Sequence, residues 1–360
     1  MSWFLAALGF IVLIILHELG HFTAAKLVGM RVERFSLFFP PLLGKIKKGE
    51  TEYAIGAIPA GGYVKITGMN PTEEIPPEHA DRAYYRQPVW KRVVVIAAGP
   101  FVNVVVAFAI LFGLFAFKGQ VVASDHVYGV QKDSAAQGVL KPGDKIVSVD
   151  GVGGGPADFR KQIGTHTCAD DARTDGCVAA TAAKVVVVRD GRQQTVEVRP
   201  RYDTAAGRML IGFTFDNAYD RLGPADAASR SVTGMWNVTK GTVSAITKIF
   251  YSSEARKNVS GIVGSYETTR ESFKADDIVL SLQILAIISL SLAIVNLFPF
   301  LPLDGGHIFW ALAEKVRGRP IPFRVMEQAS YVGFVLVIML FAVGLTNDIN
   351  RLAGPGFGVK

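Results

Sequence analysis

Cysteine is nearly absent from this sequence: Cys168 and Cys177 are the only two in 360 residues. Both lie in one polar loop, far from any histidine pair, and two cysteines alone do not make a zinc site. If the loop lies outside the cytoplasm, a local disulfide is the expected state, with two free thiols as the alternative. The cysteines therefore do not account for any metal chemistry.

Clustered charge is also lacking. Charged residues are 19% of the chain, and the formal net charge of +7 is spread along it, often flanking apolar runs. Nucleic-acid binding would need this charge on one folded face, so no nucleic-acid partner is expected. Attraction to a membrane surface explains the distribution better. A basic segment before the first apolar run and a clear small-residue cleavage site are missing too, so the N-terminus does not resemble a signal peptide.

Apolar residues, in contrast, make up half of the chain, and its mean hydropathy is +0.30. A bilayer-spanning helix needs about 20 apolar residues. Four segments meet this need: Trp3–Lys26, Val93–Phe117, Ile278–Phe300 and Ser330–Leu345. Lysine and arginine cluster between the first two spans and between the last two, so both connections are expected to be cytoplasmic and 118–277 extracytoplasmic. The sequence predicts a polytopic α-helical membrane protein with about four transmembrane helices in a lipid bilayer.

The end of the first span carries ionisable residues. His17-Glu18-Leu19-Gly20-His21 has the pattern HExxH directly after the apolar run 5–16. Two histidines four apart share one helix face and can hold one metal ion, and the glutamate between them is placed to act as a general base. Ionisable groups at membrane depth are costly and usually functional. The pattern indicates metal-dependent hydrolysis within the membrane.

Two histidines do not complete a catalytic zinc site, which commonly has three protein ligands. The end of the third span offers Asp304, which follows Pro299 and Pro302. Prolines break a helix and free backbone groups to line a polar cavity. Because the first and third spans run the same way in the predicted topology, Asp304 is expected at the depth of the two histidines. His307 is interpreted as a residue that does not bind the metal.

The segment Thr51–Ile66 contains two short β-type runs around Pro59-Ala60-Gly61-Gly62, which predicts a hairpin. It is either a plain cytoplasmic hairpin or one that dips toward the active site. In the second case an open strand edge at Thr51–Ile58 or Gly62–Ile66 could pair with an extended peptide.

A second module lies between the membrane halves 1–117 and 278–360. Its Lys141-Pro142-Gly143-Asp144 turn precedes a strand that ends in Asp150-Gly151, a helix is expected near 157–163, and Asp190-Gly191 joins two β runs. This pattern resembles a PDZ domain over 118–205, with the cysteine loop as an insertion. Residues 206–277 are assigned as an extracytoplasmic linker with amphipathic stretches.

Taken together, the chain resembles the site-2 proteases, intramembrane zinc metalloproteases, and among them the regulator-of-sigma-E protease type with one PDZ domain. The resemblance rests on the HExxH at 17–21, Gly61-Gly62-Tyr63-Val64, Gly99-Pro100-Phe101-Val102-Asn103, the PDZ-like module and the block 296–305. It implies zinc bound by His17, His21 and Asp304, with Glu18 as general base. It also implies that Asn103, Asn296, Gly61 and Gly62 help to position substrate, with helix-packing amides as the alternative for the two asparagines.

The resemblance further implies a bacterial inner-membrane enzyme with its PDZ domain outside the cytoplasm. The expected substrates are single-pass membrane proteins, such as anti-sigma factors or signal-peptide remnants, in regulated intramembrane proteolysis. The PDZ domain would bind peptide C-termini or exclude bulky ectodomains. Two other functions are weighed against this one. A metal-binding scaffold would have no use for Glu18, and a metal transporter would need polar residues along the spans.

Overall fold

The computed structural model describes residues 2–70, 73–170, 174–249, 251–258, 260–274 and 278–354. The chain divides into two units, one of 1–115 with 224–360 and one of 116–223. The elements follow in chain order: α1 (Ser2–Leu27), β1 (Val32–Lys48), β2 (Thr51–Ile66), α2 (Val89–Gly113), β3 (Gln120–Val130), β4 (Lys145–Val149), β5 (Val152–Gly153), α3 (Pro156–Ile163), β6 (Ala183–Arg189), β7 (Arg192–Val198), β8 (Arg201–Asp203), β9 (Arg208–Leu210), β10 (Phe213–Asp220), α4 (Pro224–Ile249), α5 (Ser253–Asn258), α6 (Ile262–Lys274), α7 (Ile278–Asn296), α8 (Asp304–Arg317) and α9 (Phe323–Leu352).

The four predicted spans are helices. In the part of the chain that the structure describes, four helices are long and apolar enough to cross a membrane: α1, α2 with the π-helical turn Leu114–Lys118, α7 and α9. Three of the spans differ from the sequence prediction by four or more residues. The second begins at Val89 instead of Val93. The third span ends at Asn296 instead of Phe300, because Pro299 cannot continue the helix. The fourth is a 30-residue helix, because the polar residues that flank its apolar stretch contain no helix breaker.

The first unit also contains the predicted hairpin, in a more folded form than the sequence indicates. Strands β1 and β2 pair antiparallel, and residues 34–37 of β1 lie between two parts of β2, 52–55 on one side and 62–65 on the other. The end of β1 pairs with the start of β2, from Leu42↔Gly56 to Lys48↔Thr51. Four segments therefore lie side by side in the order 62–66, 32–37, 51–58 and 42–48.

This order separates the two strands that the sequence offered for peptide pairing. Within Thr51–Ile58, residues 52–55 pair with 34–37 on one side and with 44–47 on the other, so their backbone groups are already used within the hairpin. The segment 62–66, called the edge segment below, pairs with β1 alone within the described residues. Only the edge segment can accept another strand near this end of the sheet.

Glu50, at the turn between β1 and β2, ties the hairpin to its surroundings. Its carboxylate accepts hydrogen bonds from Arg82 at 2.7 and 2.9 Å and from Lys26, at the end of α1, at 2.6 Å. These bonds from Arg82 and Lys26 lower the pKa of Glu50 to about 2. The hairpin is thus fixed to the helix that carries the HExxH pattern.

The second unit is a β-rich domain. Its main sheet has the order β10-β3-β4-β6-β7, with β5 paired to β4, and α3 covers a core that includes Phe159, Ile146 and Val185. The sequence prediction ends this module at 205, whereas the unit extends to Gly223. The difference arises because β10 pairs with β3 across about 90 residues of chain, which no local pattern reveals. Cys168 and Cys177 form a disulfide in this unit.

The segment after the β-rich unit belongs with the membrane helices. The amphipathic α4 packs Met235 and Val238 against α2 and α7, whereas Val232 and Trp236 are exposed. Asp348 of α9 caps the N-terminal end of α6. Its carboxylate accepts hydrogen bonds from the backbone N–H groups of Gly261 and Gly264.

Candidate active site

Helix α1 presents the two histidines of the HExxH pattern near its C-terminal end. His17 and His21 are one turn apart, both are 7% exposed, and their rings meet edge to face with centroids 4.9 Å apart. The i, i+4 spacing puts them on one helix face, as expected from the sequence. Their Nε2 atoms are 3.3 Å apart.

Asp304 reaches the same point from α8, which begins at this residue. The chain between α7 and α8 folds back tightly. Gly305 and Gly306, which follow Asp304, make this possible. A Cβ on Gly305 would collide with the backbone of Leu297, and one on Gly306 would lie 2.6 Å from the carbonyl carbon of Phe300. Side chains at these positions would therefore push Asp304 away from the histidines.

The three donor atoms form a nearly equilateral triangle. Asp304 Oδ2 lies 3.4 Å from His17 Nε2 and 3.3 Å from His21 Nε2, and the two histidine nitrogens are 3.3 Å apart. Zinc binds histidine nitrogen and carboxylate oxygen at about 2.0–2.2 Å, so ligands of a tetrahedral ion are roughly 3.3–3.5 Å apart. The measured triangle has the dimensions of one face of that tetrahedron.

The surroundings of Asp304 also suit a metal. Its Oδ2 atom is buried and makes no hydrogen bond within the described part of the chain. Such an atom is costly to bury unless an ion or another partner satisfies it. Three protein ligands leave a fourth position for water or substrate, the arrangement of catalytic zinc sites. In the described residues this is the one cluster of three or more metal-binding side chains, and His307 is not part of it.

Helix α2 approaches α1 closely through two glycines. A Cβ on Gly20 would lie 2.6 Å from the carbonyl oxygen of Ala98, and one on Gly99 would overlap the imidazole ring of His21. Small residues at a helix–helix contact let the two backbones approach. The sequence places Gly99 in a motif but does not reveal this steric role. A glycine inside an apolar span was the available signal.

The approach of α2 also orients His21. Its Nδ1 donates a hydrogen bond of 2.9 Å to the backbone carbonyl of Val95. Because Nδ1 carries the proton, Nε2 keeps its lone pair and points at the triangle, as is usual for metal-binding histidines. The sequence could not reveal Val95, since any residue supplies a backbone carbonyl.

Glu18 contacts the hairpin. A Cβ on Gly62 would lie 2.7 Å from Glu18 Cγ and 3.0 Å from the Ser36 carbonyl oxygen, so the backbone of the edge segment passes directly against the glutamate. Gly61 adopts a φ of 152°, a conformation that favours glycine. The hairpin that the sequence left either cytoplasmic or close to the active site therefore reaches the HExxH helix.

The two asparagines lie on opposite sides of His17. The side-chain nitrogen of Asn296 is 3.3 Å from Nε2, the nitrogen that faces the triangle. The side-chain nitrogen of Asn103 is 3.2 Å from Nδ1, on the other side of the ring. Asn103 is fully buried, whereas Asn296 is partly exposed. Asn296 thus borders the open side of the site, and Asn103 lies behind it.

Comparison with known proteins agrees with this geometry. The model of peptidase family M50 matches residues 5–340. Three relatives, each named "putative zinc metalloprotease", come from Rhizobium meliloti (32% identical; 95% of this chain and 94% of the relative), Nostoc (31%; 95% and 94%) and Clostridium acetobutylicum (29%; 97% and 98%).

The match covers α1, with its HExxH, as well as α8, with Asp304, so the whole donor triangle lies inside it. The relatives are aligned over nearly their full length. The chain belongs to peptidase family M50, the site-2 proteases, and is a zinc metalloendopeptidase of the membrane.

Proposed function

We propose that this enzyme hydrolyses peptide bonds inside the transmembrane segments of single-pass proteins in a bacterial inner membrane. Its substrates would be proteins such as anti-sigma factors, or signal-peptide remnants, so that it acts in regulated intramembrane proteolysis. The observation that carries the proposal is the position of the donor triangle. Two of its ligands and Glu18 lie on α1, a helix apolar enough to cross a bilayer.

Zinc held by His17, His21 and Asp304 would supply a Lewis acid that polarises the peptide carbonyl and acidifies water. Glu18, adjacent in sequence to His17, takes the proton of the attacking water on its carboxylate and returns it to the leaving amine. Such a general base must reach the water directly, and Gly62 limits how far the Glu18 side chain can move. The backbone of the hairpin therefore aims the base.

Asn296 would bind the substrate. Its side-chain nitrogen lies beside His17 Nε2 on the open side of the triangle. From there the amide can donate a hydrogen bond to a carbonyl oxygen of the substrate. Donors aimed at developing negative charge typically contribute about 3 kcal/mol to catalysis.

A helical substrate must unwind before its carbonyl can be attacked, because its backbone groups are paired within its own helix. The edge segment can replace these bonds by strand addition. Two features support this role: the edge segment pairs on one side only among the described residues, and its Gly62 contacts Glu18. A groove of about 530 Å³ runs along it, lined by residues 63–66 together with Met69, Asn70 and Glu73. A strand added there would lead to the general base.

For the β-rich unit we propose a PDZ-type role outside the cytoplasm. Strand β3 is paired on both sides, whereas β10 pairs on one side only within the described part of the chain. Phe215 of β10 lies 6.3 Å from Phe159 of α3, ring to ring, and Arg160 lies over the same ring. A peptide C-terminus would therefore bind along β10 and α3. Exclusion of bulky ectodomains is the alternative role of this unit.

The deciding experiment is cleavage of a model single-pass substrate in liposomes by the wild type and by Glu18→Gln, with zinc quantified in both. The expected result is one zinc per chain in each protein and cleavage inside the membrane segment by the wild type alone. Zinc in both proteins without cleavage by either, over a panel of transmembrane substrates, would favour a metal-binding scaffold.

Strand addition is tested separately with proline, which removes one backbone N–H. Successive N–H groups of a strand point to opposite sides, so either Val64→Pro or Lys65→Pro should impair cleavage by losing an outward donor. The matched control is the opposite edge of the hairpin, with Ile46→Pro and Lys47→Pro. Full cleavage by both edge-segment variants would contradict strand addition.

A further inference from the structure

Asn103 is a polar side chain at the centre of an apolar helix. It is fully buried in α2, its Nδ2 lies 3.2 Å from His17 Nδ1, and its Oδ1 has no hydrogen-bond partner within the described residues. A buried amide with half of its hydrogen-bonding capacity unused needs an explanation. The explanation lies in the tautomer of His17.

With the amide nitrogen of Asn103 facing His17, the arrangement conflicts with metal binding. An amide N–H that faces His17 Nδ1 would require a lone pair on Nδ1. Neutral imidazole carries one proton, which would then be on Nε2. Yet Nε2 is the atom in the donor triangle, where it needs its lone pair for the metal.

Rotation of the Asn103 amide by 180° removes the conflict, because amide oxygen and nitrogen have nearly the same shape and exchange places. Oδ1 then faces Nδ1 at the measured separation and accepts its proton. The rotation breaks no other hydrogen bond of the side chain, because Oδ1 has no partner among the described residues. Zinc binding decides between the two orientations, since only one of them frees Nε2.

The tautomer of His21 is also fixed by a hydrogen bond at Nδ1. The Val95 carbonyl can only accept a hydrogen bond, so His21 Nδ1 carries a proton and Nε2 is free. Val95 and Asn103 are eight residues, or about two turns, apart on α2, and both face the histidines of α1. One helix therefore supplies the outer hydrogen-bond partner of both histidine ligands. Ser289 of α7 donates to the Asn103 backbone carbonyl at 2.9 Å and holds this part of α2 in place.

We propose that Asn103 is a positioning residue: its Oδ1 accepts the Nδ1 proton of His17 and fixes the tautomer in which Nε2 binds zinc. This differs from the substrate-positioning role that the family resemblance implies for Asn103. Complete burial behind His17 favours the outer-ligand role, and the substrate-facing position is that of Asn296. The inference rests on the zinc site of the proposed function.

The test is zinc affinity of the full-length protein in detergent, measured by competition with a chromogenic chelator. Loss of a hydrogen-bond partner of a metal-binding histidine typically weakens metal binding about 10- to 100-fold. Asn103→Leu, which keeps the size and removes the acceptor, is expected to show this loss. Asn103→Asp keeps an acceptor oxygen and should remain within a few-fold of the wild type. The matched control is Asn296→Leu, which should cleave poorly and bind zinc normally.

The outcomes separate the hypotheses. Unchanged zinc affinity in Asn103→Leu, with a raised KM for substrate, would overturn the positioning role and restore the substrate role. Absence of zinc from the folded wild type would defeat the proposed function itself. If Asn103→Leu does not fold, histidine ¹⁵N chemical shifts of the zinc-loaded wild type decide: both zinc-binding rings should have a protonated Nδ1. A zinc-binding histidine ring with an unprotonated Nδ1 would contradict the proposal.

Discussion

Arg92 of α2 and Glu314 of α8 form a bidentate ion pair, with N–O distances of 2.9 and 2.7 Å. The Arg92 side chain is 9% exposed and that of Glu314 is 25% exposed. The pair joins the helix that orients His21 to the helix that begins with Asp304. It therefore holds the helix that supplies Asp304 against the helix that packs on His21.

Arg92→Met should be strongly destabilising, because it leaves a carboxylate partly buried without its partner. We expect a loss of about 2–3 kcal/mol in the free energy of unfolding, slightly below the usual cost because Glu314 is partly exposed. The measurement is denaturant unfolding in mixed micelles. In a double-mutant cycle, Arg92→Met with Glu314→Leu should recover part of the loss. Additive effects of the two substitutions would show that the pair has no energetic coupling.

Gly99→Ala should abolish tight zinc binding, because the new Cβ would overlap the ring of His21. We expect zinc affinity to fall by at least about 10-fold, because loss of only an outer partner of a ligand already weakens metal binding about 10- to 100-fold. The matched control is Gly113→Ala in the same helix, where a Cβ meets nothing within 4 Å. Equal zinc affinity in both variants would contradict the close approach of α1 and α2.

Gly62→Ala should separate catalysis from metal binding. The added methyl group would displace Glu18 or the edge segment, and a misplacement of about 1 Å can cost about 100-fold in rate. We therefore expect kcat/KM to fall while zinc content stays at one per chain. Gly44→Ala, in the same hairpin and with open space around its Cβ position, should leave both unchanged. Loss of zinc from Gly62→Ala would mean that the hairpin supports the ligands as well as the base.

The β-rich unit should lose stability in acid because of Asp144. Burial alone would raise the pKa of this carboxyl, but hydrogen bonds from Arg189 at 2.6 and 2.7 Å and from the Lys141 amide outweigh it and lower the pKa below the ordinary 3.8. A lowered pKa in the folded state gives stability that is complete above the unfolded pKa and is lost as pH falls through the folded one.

This loss should appear below about pH 4, the ordinary range of an aspartate. Hydrogen exchange of peptides from β4 and β6, corrected for the intrinsic effect of pH, measures it. Asp144→Asn should flatten the pH dependence and be less stable at neutral pH. Glu197→Gln, a change at an exposed carboxylate of β7, should keep the wild-type profile. If Asp144→Asn keeps the wild-type dependence of hydrogen exchange on pH, other carboxylates cause the acid sensitivity.

Local patterns were sufficient for the spans and the ligands. The apolar runs predicted four helices that the structure contains, because burial in lipid demands about 20 apolar residues wherever the rest of the chain lies. The HExxH spacing put both histidines on one face through helix geometry alone. Loop charges predicted that Asp304 would meet them, and the three donor atoms do lie within 3.4 Å of one another.

The hairpin shows where local patterns fail. The sequence offered Thr51–Ile58 and Gly62–Ile66 equally as open edges. The choice depends on a bend in β1, where Phe38 adopts a φ of 71° and the strand then folds back along β2. Strand order is set by pairing between distant segments, so alternation of side chains within either strand cannot reveal it.

The sequence by itself determined which side chains could bind a metal and which helix would carry the two histidines, because these follow from residue type and helical period. It also proposed Glu18 as the base. Tertiary structure alone decided that Gly99 makes room for His21, that Val95 and Asn103 lie behind the two histidines, and that Gly62 lies against Glu18. These contacts depend on distances between separate elements. Such distances are set by close packing of backbones, which no pattern within one segment encodes.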